Sequence, residues 1–248
     1  MCGLAGLAGR GIMSQHLQAY QELLWVSALR GRHSTGVYAA RTYRKDLSGV
    51  LRKQDTDSAQ FVFDHAGRRG ILCDMTFDIL MGHCRYATVG KVTAKNAHPF
   101  DVGSLVGAHN GTLISKEFIS PTKTDSEMMF EKMGRVGIEQ TLDNLGWGDA
   151  YAISVFDKTS RKLFLARNEG RPLYIAIGMK SDWMMWASEY EMLNLVGKRN
   201  KLSFKVMELQ PHFLYSFDPE YIKAGNEKPY MTTEVKHDDV PWSNFMCE

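Results

Sequence analysis

The sequence predicts an α+β layered domain, in which antiparallel sheets pack on each other and are covered by helices. Before Gly146, strand and helix patterns are mixed along the chain. After Gly146, short strand patterns follow one another with tight turns between them. Because these connections are too short for crossover helices, they argue against a doubly wound parallel sheet. The 248 residues are enough for one domain with a sizeable core.

The first part of the chain begins with a strand and continues into a helix. Residues 4–8 are small, apolar and interrupted by glycine, which is typical of a buried strand beside a site. Ser14 is a candidate N-cap for a helix whose apolar face consists of Leu17, Tyr20, Leu24 and Ala28. Further strands are predicted at 36–40, near 50–51, at 79–85 and at 104–109, the last ended by Asn110 and Gly111. A second helix is predicted at 57–66, with Phe61 and Phe63 partly buried.

The second part of the chain is dominated by strands. Thr124 or Asp125 is expected to cap a helix, and another helix is predicted at 138–145. Strands follow at 151–156, 162–166, 173–177, 183–187, 204–209 and 213–217, with a short helix at 189–195. From Asp218 onwards the sequence is polar, irregular and contains proline. We therefore expect one domain at 1–217 and a C-terminal tail at 218–248 that packs on it.

The composition excludes several classes of protein. A hydrophobic content of 44%, a charged content of 23% and a net charge of +2 do not suggest a nucleic-acid or membrane binder. No apolar run is long enough to cross a bilayer, and the N-terminus lacks the pattern of a signal peptide. Four cysteines in a chain of this length do not form a disulfide framework. The expected location is the cytoplasm.

Cys2 is the first candidate catalytic residue. The chain opens Met1-Cys2-Gly3, and removal of Met1 would place a thiol and a free α-amine on the same Cα. A thiol is a strong nucleophile only as the thiolate, and an α-amine titrates near ~8, so the amine can act as the adjacent base. A cysteine after the initiator methionine can also be accidental, and this position alone favours that simpler interpretation.

Four polar loops lie at predicted strand ends, at 30–36, 82–90 with 96–99, 109–111 and 124–127. Each has an ordinary structural interpretation, because glycine-rich loops are usually turns, Asp at a helix start is usually a cap, and loop arginines are usually solvated. A metal site built from His83, Cys84, His98 and His109 is a further alternative. However, His83 and Cys84 are neighbours in a strand, so their side chains point to opposite faces and cannot easily share a zinc ion.

Taken together and in this order, the loops resemble the glutaminase domain of class II, or N-terminal nucleophile (Ntn), glutamine amidotransferases. The resemblance is closest to the domain of glucosamine-6-phosphate synthase. The family opens with Cys-Gly-Ile/Leu after Met and carries Arg-Gly-x-Asp-Ser-x-Gly, Gly-His-x-Arg-Trp-Ala-Thr-x-Gly, Asn-Ala-His-Pro, His-Asn-Gly and Ser/Thr-Asp-Thr/Ser-Glu. Similar residues stand here at 2–4, 30–36, 82–90, 96–99, 109–111 and 124–127. Single motifs are weak, whereas the whole series in this order is specific.

The resemblance implies a four-layer αββα Ntn-hydrolase sandwich of two mainly antiparallel sheets covered by helices. It also implies that Cys2 attacks the side-chain amide of L-glutamine and forms a γ-glutamyl thioester, which water then hydrolyses. The side chain of Asn110 and the N–H of Gly111 would hold the oxyanion that forms in both steps. No cofactor and no metal are expected.

The resemblance also implies which residues bind the substrate. Arg85 and Thr88 would hold the α-carboxylate of glutamine, and Asp125 would hold its α-ammonium group. The remaining residues would shape the site: Arg30 would organise the surroundings of the nucleophile, His98 would support the pocket wall, and Tyr86, where the family has Trp, would screen the thiol and control the passage of ammonia. Two further departures are His33 in place of Asp and Val89 in place of a frequent His.

The resemblance covers roughly residues 2 to 217 and leaves no room for a synthetase domain. We therefore expect a stand-alone glutaminase domain that supplies ammonia to a separate synthetase subunit. The tail, with Tyr221, Tyr230, Trp242 and Phe245, either docks a partner or packs on its own domain. Two alternatives stay open: a catalytically silent binding or regulatory module of the same fold, and an N-terminal-Cys amidase with another amide substrate.

Overall fold

Two antiparallel sheets form the centre of the molecule. The computed structural model describes residues 1–45, 47–67, 70–88, 90–146, 148–226 and 228–236. Within them the strands are β1 Gly3–Ala8, β2 Ser34–Arg41, β3 Ser48–Gln54, β4 Ile79–Arg85, β5 Phe100–Val102, β6 Leu105–Thr112, β7 Ala150–Asp157, β8 Lys162–Arg167, β9 Tyr174–Gly178, β10 Met184–Ala187, β11 Phe204–Glu208, β12 Phe213–Phe217 and β13 Met231–Glu234. The first sheet has the order β11-β9-β10-β1-β4-β2-β3, and the second has the order β13-β12-β8-β7-β6-β5.

Three apolar layers hold the sheets and helices together. Between the sheets, inward-facing side chains such as Leu4, Phe156 and Trp186 form one core cluster. The helices α1 (Ser14–Val26), α2 (Ser58–His65) and α5 (Tyr190–Arg199) cover the outer face of the first sheet. The helices α3 (Asp125–Val136) and α4 (Ile138–Asp143) cover the outer face of the second sheet. The order helix, sheet, sheet, helix confirms the predicted four-layer sandwich.

Short strands and element ends differ from the prediction at several places. The sequence did not predict β5 or β13, and β13 lies within the segment 218–236 that was expected to be irregular. Strand β6 continues through Asn110 and Gly111 to Thr112, because β7 pairs with it along its whole length. Pairing with a neighbouring strand thus overrides the turn preference of Asn-Gly.

Two details of the helices also differ. The N-cap of α1 is Met13, and Ser14 is the first helical residue, so the predicted cap is displaced by one position. His16 stabilises this start instead, because its Nδ1 accepts the N–H of Met13 at 2.9 Å. In α2, Phe61 is fully buried whereas Phe63 is 82% exposed. The predicted partial burial of Phe63 was therefore wrong, since that side chain lies on the solvent face of the helix.

The strand register determines which residues lie next to Cys2. Cys2 lies immediately before β1, whose first residue, Gly3, is paired with Cys84 on β4. The next residue of β4, Arg85, is paired with Ser34 at the start of β2. Three strand ends of the first sheet thus meet beside Cys2. No helix among the described residues is long and apolar enough to span a bilayer.

Candidate active site

A small pocket brings together Cys2 and residues from three of the four polar loops. Its lining consists of Cys2, Arg85, Tyr86, Thr88, His98, His109, Gly111, Thr124, Asp125 and Ser126. The volume of this pocket is about 20 Å³. That is room for about one water molecule, so an amino-acid ligand requires the mouth to open. A larger groove of about 610 Å³ lies between α3, α4 and the second sheet and contains none of the predicted site residues.

The thiol of Cys2 is surrounded mainly by main-chain groups. Its Sγ accepts the N–H of Tyr86 at 3.2 Å and lies 3.5 Å from the carbonyl oxygen of the same residue. Burial raises the pKa of the Cys2 thiol. This pKa is lowered, to a smaller extent, by the hydrogen bond from the Tyr86 N–H and by the positive charges of the Met1 ammonium, Arg85 and Arg30. Because burial dominates, the thiol is predominantly protonated at neutral pH. Attack therefore needs a group that takes the proton.

Arg30 holds the backbone of the nucleophile. It lies at the end of the 3₁₀ turn Ser27–Leu29, and its Nε donates to the carbonyl oxygen of Cys2 at 2.7 Å. The same guanidinium forms an ion pair with Glu189. Burial lowers the pKa of Arg30, and the negative charge of the Cys2 thiolate opposes that shift. Glu189 was not predicted as a site residue.

Arg85 and Asp125 both line the pocket. Burial lowers the pKa of Arg85, while the negative charges of Cys2 and Asp125 oppose this effect. The Arg85 Nη1 donates to the carbonyl oxygen of Lys91 at 3.1 Å. The Asp125 carboxylate accepts the N–H of Leu113 at 2.9 Å. A cationic and an anionic group thus lie on one pocket, which suits the two charged ends of an α-amino acid.

The two predicted oxyanion residues face different ways. Asn110 shares the face of β6 that points between the sheets, and its Nδ2 donates to Ser188 Oγ at 3.3 Å. Asn110 lies outside the pocket lining, whereas Gly111 is part of it. A Cβ on residue 111 would lie 1.8 Å from the carbonyl oxygen of Ala150. Only glycine therefore fits at this position with the present backbone.

Three buried histidines are in contact here, and two of them, His98 and His109, line the pocket. His98 Nδ1 lies 3.1 Å from His83 Nε2, which in turn lies 3.0 Å from the carbonyl oxygen of His109. Burial lowers the pKa of all three rings, that of His83 to about 3. Cys84 points away from them, with its Sγ donating to the carbonyl oxygen of Leu24. No group of three or more His, Cys, Asp or Glu in the described part of the chain could hold a metal ion.

Of the remaining predicted positions, Thr88 is exposed and lines the pocket, and Tyr86 is 48% exposed at its mouth. Ser188 and Asp149 were not predicted as site residues. Each is a buried side chain that holds the backbone near the pocket. Their only sequence signal is a polar residue beside a strand end. Val89, Trp242 and Phe245 lie outside the described residues.

Sequence comparison finds two kinds of longer relative. The chain is 28% identical over 199 residues to a glutamine–fructose-6-phosphate aminotransferase of Streptococcus pyogenes, covering 72% of this chain and 30% of that protein. It is 24% identical over 249 residues to the amidophosphoribosyltransferase of Mycobacterium bovis, covering 90% of this chain and 44% of that protein. The chain therefore spans less than half the length of these curated relatives. No protein-family model matches it.

A solved structure has a fold similar to that of this chain. The glutamine phosphoribosylpyrophosphate amidotransferase of B. subtilis aligns with a TM-score of 0.66 at 21% identity, covering 96% of this chain and 50% of that chain. At this identity the likeness concerns the fold alone. The sequence relatives confirm the predicted resemblance to class II glutamine amidotransferases, and the solved structure confirms the fold.

Proposed function

We propose that this chain, a relative of class II glutamine amidotransferases, hydrolyses the side-chain amide of L-glutamine through a thioester on Cys2. The observation that carries the proposal is the meeting of Cys2, Arg85, Asp125 and Gly111 around one pocket. A nucleophile, two charges that suit an α-amino acid and an N–H donor are the groups that this reaction requires. The products would be glutamate and ammonia.

The proposed reaction conserves every proton. The α-amine of Cys2, freed by removal of Met1, takes the thiol proton while Sγ attacks the amide carbon of glutamine. The oxyanion formed lies against the N–H of Gly111 and the side chain of Asn110. The C–N bond then breaks, and ammonia leaves with the proton returned by the amine. Water attacks the thioester in the same way and releases glutamate and the free thiol.

The resemblance supports a second part of the proposal, which concerns the use of ammonia. The sequence relatives are longer proteins whose names describe an aminotransferase and an amidophosphoribosyltransferase. We therefore propose that the ammonia is passed to a synthetase and that this acceptor is a separate subunit. A cytoplasmic location belongs to the same proposal, and Cys2, Cys73 and Cys84 carry free thiols among the described residues.

The test is ammonia release from glutamine by protein whose N-terminus has been checked by mass spectrometry. A cleavable tag before Cys2 should leave the folded protein inactive, and cleavage that exposes the Cys2 amine should start ammonia release. Cys2→Ala should abolish the release. Cys73→Ala is the matched control, because the Cys73 thiol donates to the carbonyl oxygen of Ala66 away from the pocket. Equal activity before and after cleavage would show that a side chain supplies the base.

The same preparation separates the two alternatives. Processed protein that binds glutamine in a calorimeter without releasing ammonia would be a silent binding module. Processed protein that neither binds nor hydrolyses glutamine, but releases ammonia from another amide, would be an amidase of different specificity. Both results would contradict glutamine hydrolysis as the function.

A further inference from the structure

We infer that His33 is a positioning residue for Cys2, because it holds the two peptide units of Tyr86 that contact the thiol. The inference rests on the proposed function, since it concerns the nucleophile of that reaction. His33 and Tyr86 both depart from the family pattern. The structure places these two residues in direct contact with each other and with the surroundings of Sγ.

Each peptide unit beside Tyr86 has one end on His33 and the other end at the thiol. In the unit that joins residues 85 and 86, the carbonyl oxygen of Arg85 accepts the N–H of His33 at 3.0 Å. The N–H of the same unit, on Tyr86, donates to Cys2 Sγ at 3.2 Å. In the next unit, the N–H of Ala87 donates to His33 Nδ1 at 2.9 Å. The carbonyl oxygen of that unit, on Tyr86, lies 3.5 Å from Sγ.

A peptide unit is planar, so fixing one end of it fixes the direction of the other end. The main-chain N–H of His33 therefore orients the Tyr86 N–H, and the His33 side chain orients the Tyr86 carbonyl oxygen and holds the Tyr86 backbone from its other end. Because the Ala87 N–H donates to Nδ1, that nitrogen carries no proton, and the proton of the neutral ring is on Nε2. A side chain without an acceptor at this place would release the second peptide unit and the backbone of Tyr86 with it.

The ring of His33 also stacks on the ring of Tyr86, with centroids 4.7 Å apart and planes 28° apart. The two contacts of His33 can be separated by substitution. In His33→Asn, Oδ1 takes the place of Nδ1 and keeps the acceptor, but the stacked ring is lost. In His33→Phe, the ring is kept and the acceptor is lost. The inference assigns the effect on the thiol to the acceptor.

The experiment measures the rate at which iodoacetamide alkylates Cys2 as a function of pH, by mass spectrometry of the N-terminal peptide. His33→Phe should lower this rate about tenfold at pH 8 and move the midpoint of the pH profile upwards, because the Tyr86 backbone, released at Ala87, no longer holds its N–H firmly against the thiolate. His33→Asn should stay within about threefold of the unsubstituted protein. Ammonia release should follow the same order, with a larger effect on kcat than on KM.

His16 provides a matched control pair. Its Nδ1 also accepts a main-chain N–H, that of Met13 at 2.9 Å, and its ring also contacts an aromatic ring, that of Trp183. It lies at the start of α1, outside the pocket lining. The variants His16→Asn and His16→Phe should leave the alkylation rate of Cys2 in the folded protein unchanged. A loss of rate specific to His33 therefore separates positioning of the thiol from general destabilisation.

The outcomes are distinct. Unchanged alkylation in His33→Phe, or equally slow alkylation in His33→Asn, would overturn the inference. Should His33→Phe fail to fold, NMR of the ¹⁵N-labelled unsubstituted protein decides, because a scalar coupling between the Ala87 amide and a proton-free His33 Nδ1 is expected. A protonated Nδ1 would overturn the inference equally. Alkylation does not require glutamine, so failure of the proposed function would be seen separately, as missing ammonia release.

Discussion

At the scale of single residues, the site has two kinds of group: charged side chains that would bind the charged ends of glutamine, and hydrogen-bond donors that would bind the oxyanion formed during the reaction. Arg85 and Asp125 carry full charges that glutamine would meet on binding, and neither charge changes during hydrolysis. Gly111 and Asn110 would meet the oxyanion, which exists only after attack. Asn110 now donates to Ser188 Oγ. The oxyanion would therefore have to replace this weak hydrogen bond of 3.3 Å.

This separation predicts different kinetics for the two kinds of residue. Arg85→Ala and Asp125→Ala should mainly raise KM, because they remove contacts that are equally strong before and during the reaction. Asn110→Ala should mainly lower kcat, by about a hundredfold, which is typical of an oxyanion donor. Steady-state kinetics of ammonia release measure both constants. Asn200→Ala is a control, since that amide donates to Glu22 and Val196 away from the pocket. A change of KM alone in Asn110→Ala would remove it from the oxyanion role.

At the scale of elements, the segment between β6 and α3 connects the oxyanion strand to the substrate-binding carboxylate. The buried Asp149 holds this segment, with Oδ1 accepting the N–H groups of Ile114 at 2.7 Å and Ser115 at 3.1 Å. Its Oδ2 accepts the N–H of Gly146 and the hydroxyl of Ser115. Leu113, the residue before Ile114, donates its N–H to the Asp125 carboxylate. Asp149 thereby fixes the place of the Asp125 carboxylate indirectly.

We predict that Asp149→Asn raises KM for glutamine about tenfold, with a smaller change of kcat. The NH₂ group of an asparagine at position 149 cannot accept hydrogen bonds. The two donors that now bind one of the Asp149 oxygens therefore lose their acceptor, and the free energy of unfolding falls by about 1–3 kcal/mol. Asp157→Asn is the matched control, because Asp157 accepts the N–H of Thr159 and the hydroxyl of Ser160 in a surface turn. Urea unfolding and steady-state kinetics should show lower stability in both variants and a raised KM only in the first.

At the scale of the whole molecule, the histidines near the pocket link stability to pH. His83, His98 and His109 are buried between or beside the sheets, and burial lowers the pKa of each, that of His83 to about 3. In the unfolded chain a histidine titrates near ~6.5. As the pH falls below this value, the unfolded state binds protons that the folded state does not bind. The free energy of unfolding therefore decreases towards acid pH, until the pH reaches the pKa of the folded group.

We predict a loss of stability between pH 7 and pH 5 of about 2 kcal/mol for each histidine that stays neutral in the folded protein. Urea unfolding at a series of pH values measures this dependence. His83→Gln should reduce the proton uptake on unfolding by about one proton at pH 5, although it also lowers the stability at pH 7. Equal stability of the unsubstituted protein at pH 7 and pH 5 would contradict the neutral state of these rings. The comparison is confined to pH 5 and above, where most carboxylates remain ionised.

The layered fold and most of the pocket residues could be predicted from the sequence alone. The reason is that strand alternation, helical spacing and motif order are repeated signals carried by many residues. Only the tertiary structure showed that β6 continues through Asn110 and Gly111, since this depends on pairing with β7. It also showed the contacts of His33 and Asp149, whose partners lie 54 and 35 positions away along the chain. Single hydrogen bonds between such distant residues leave no periodic pattern in the sequence, so only the folded chain brings them into view.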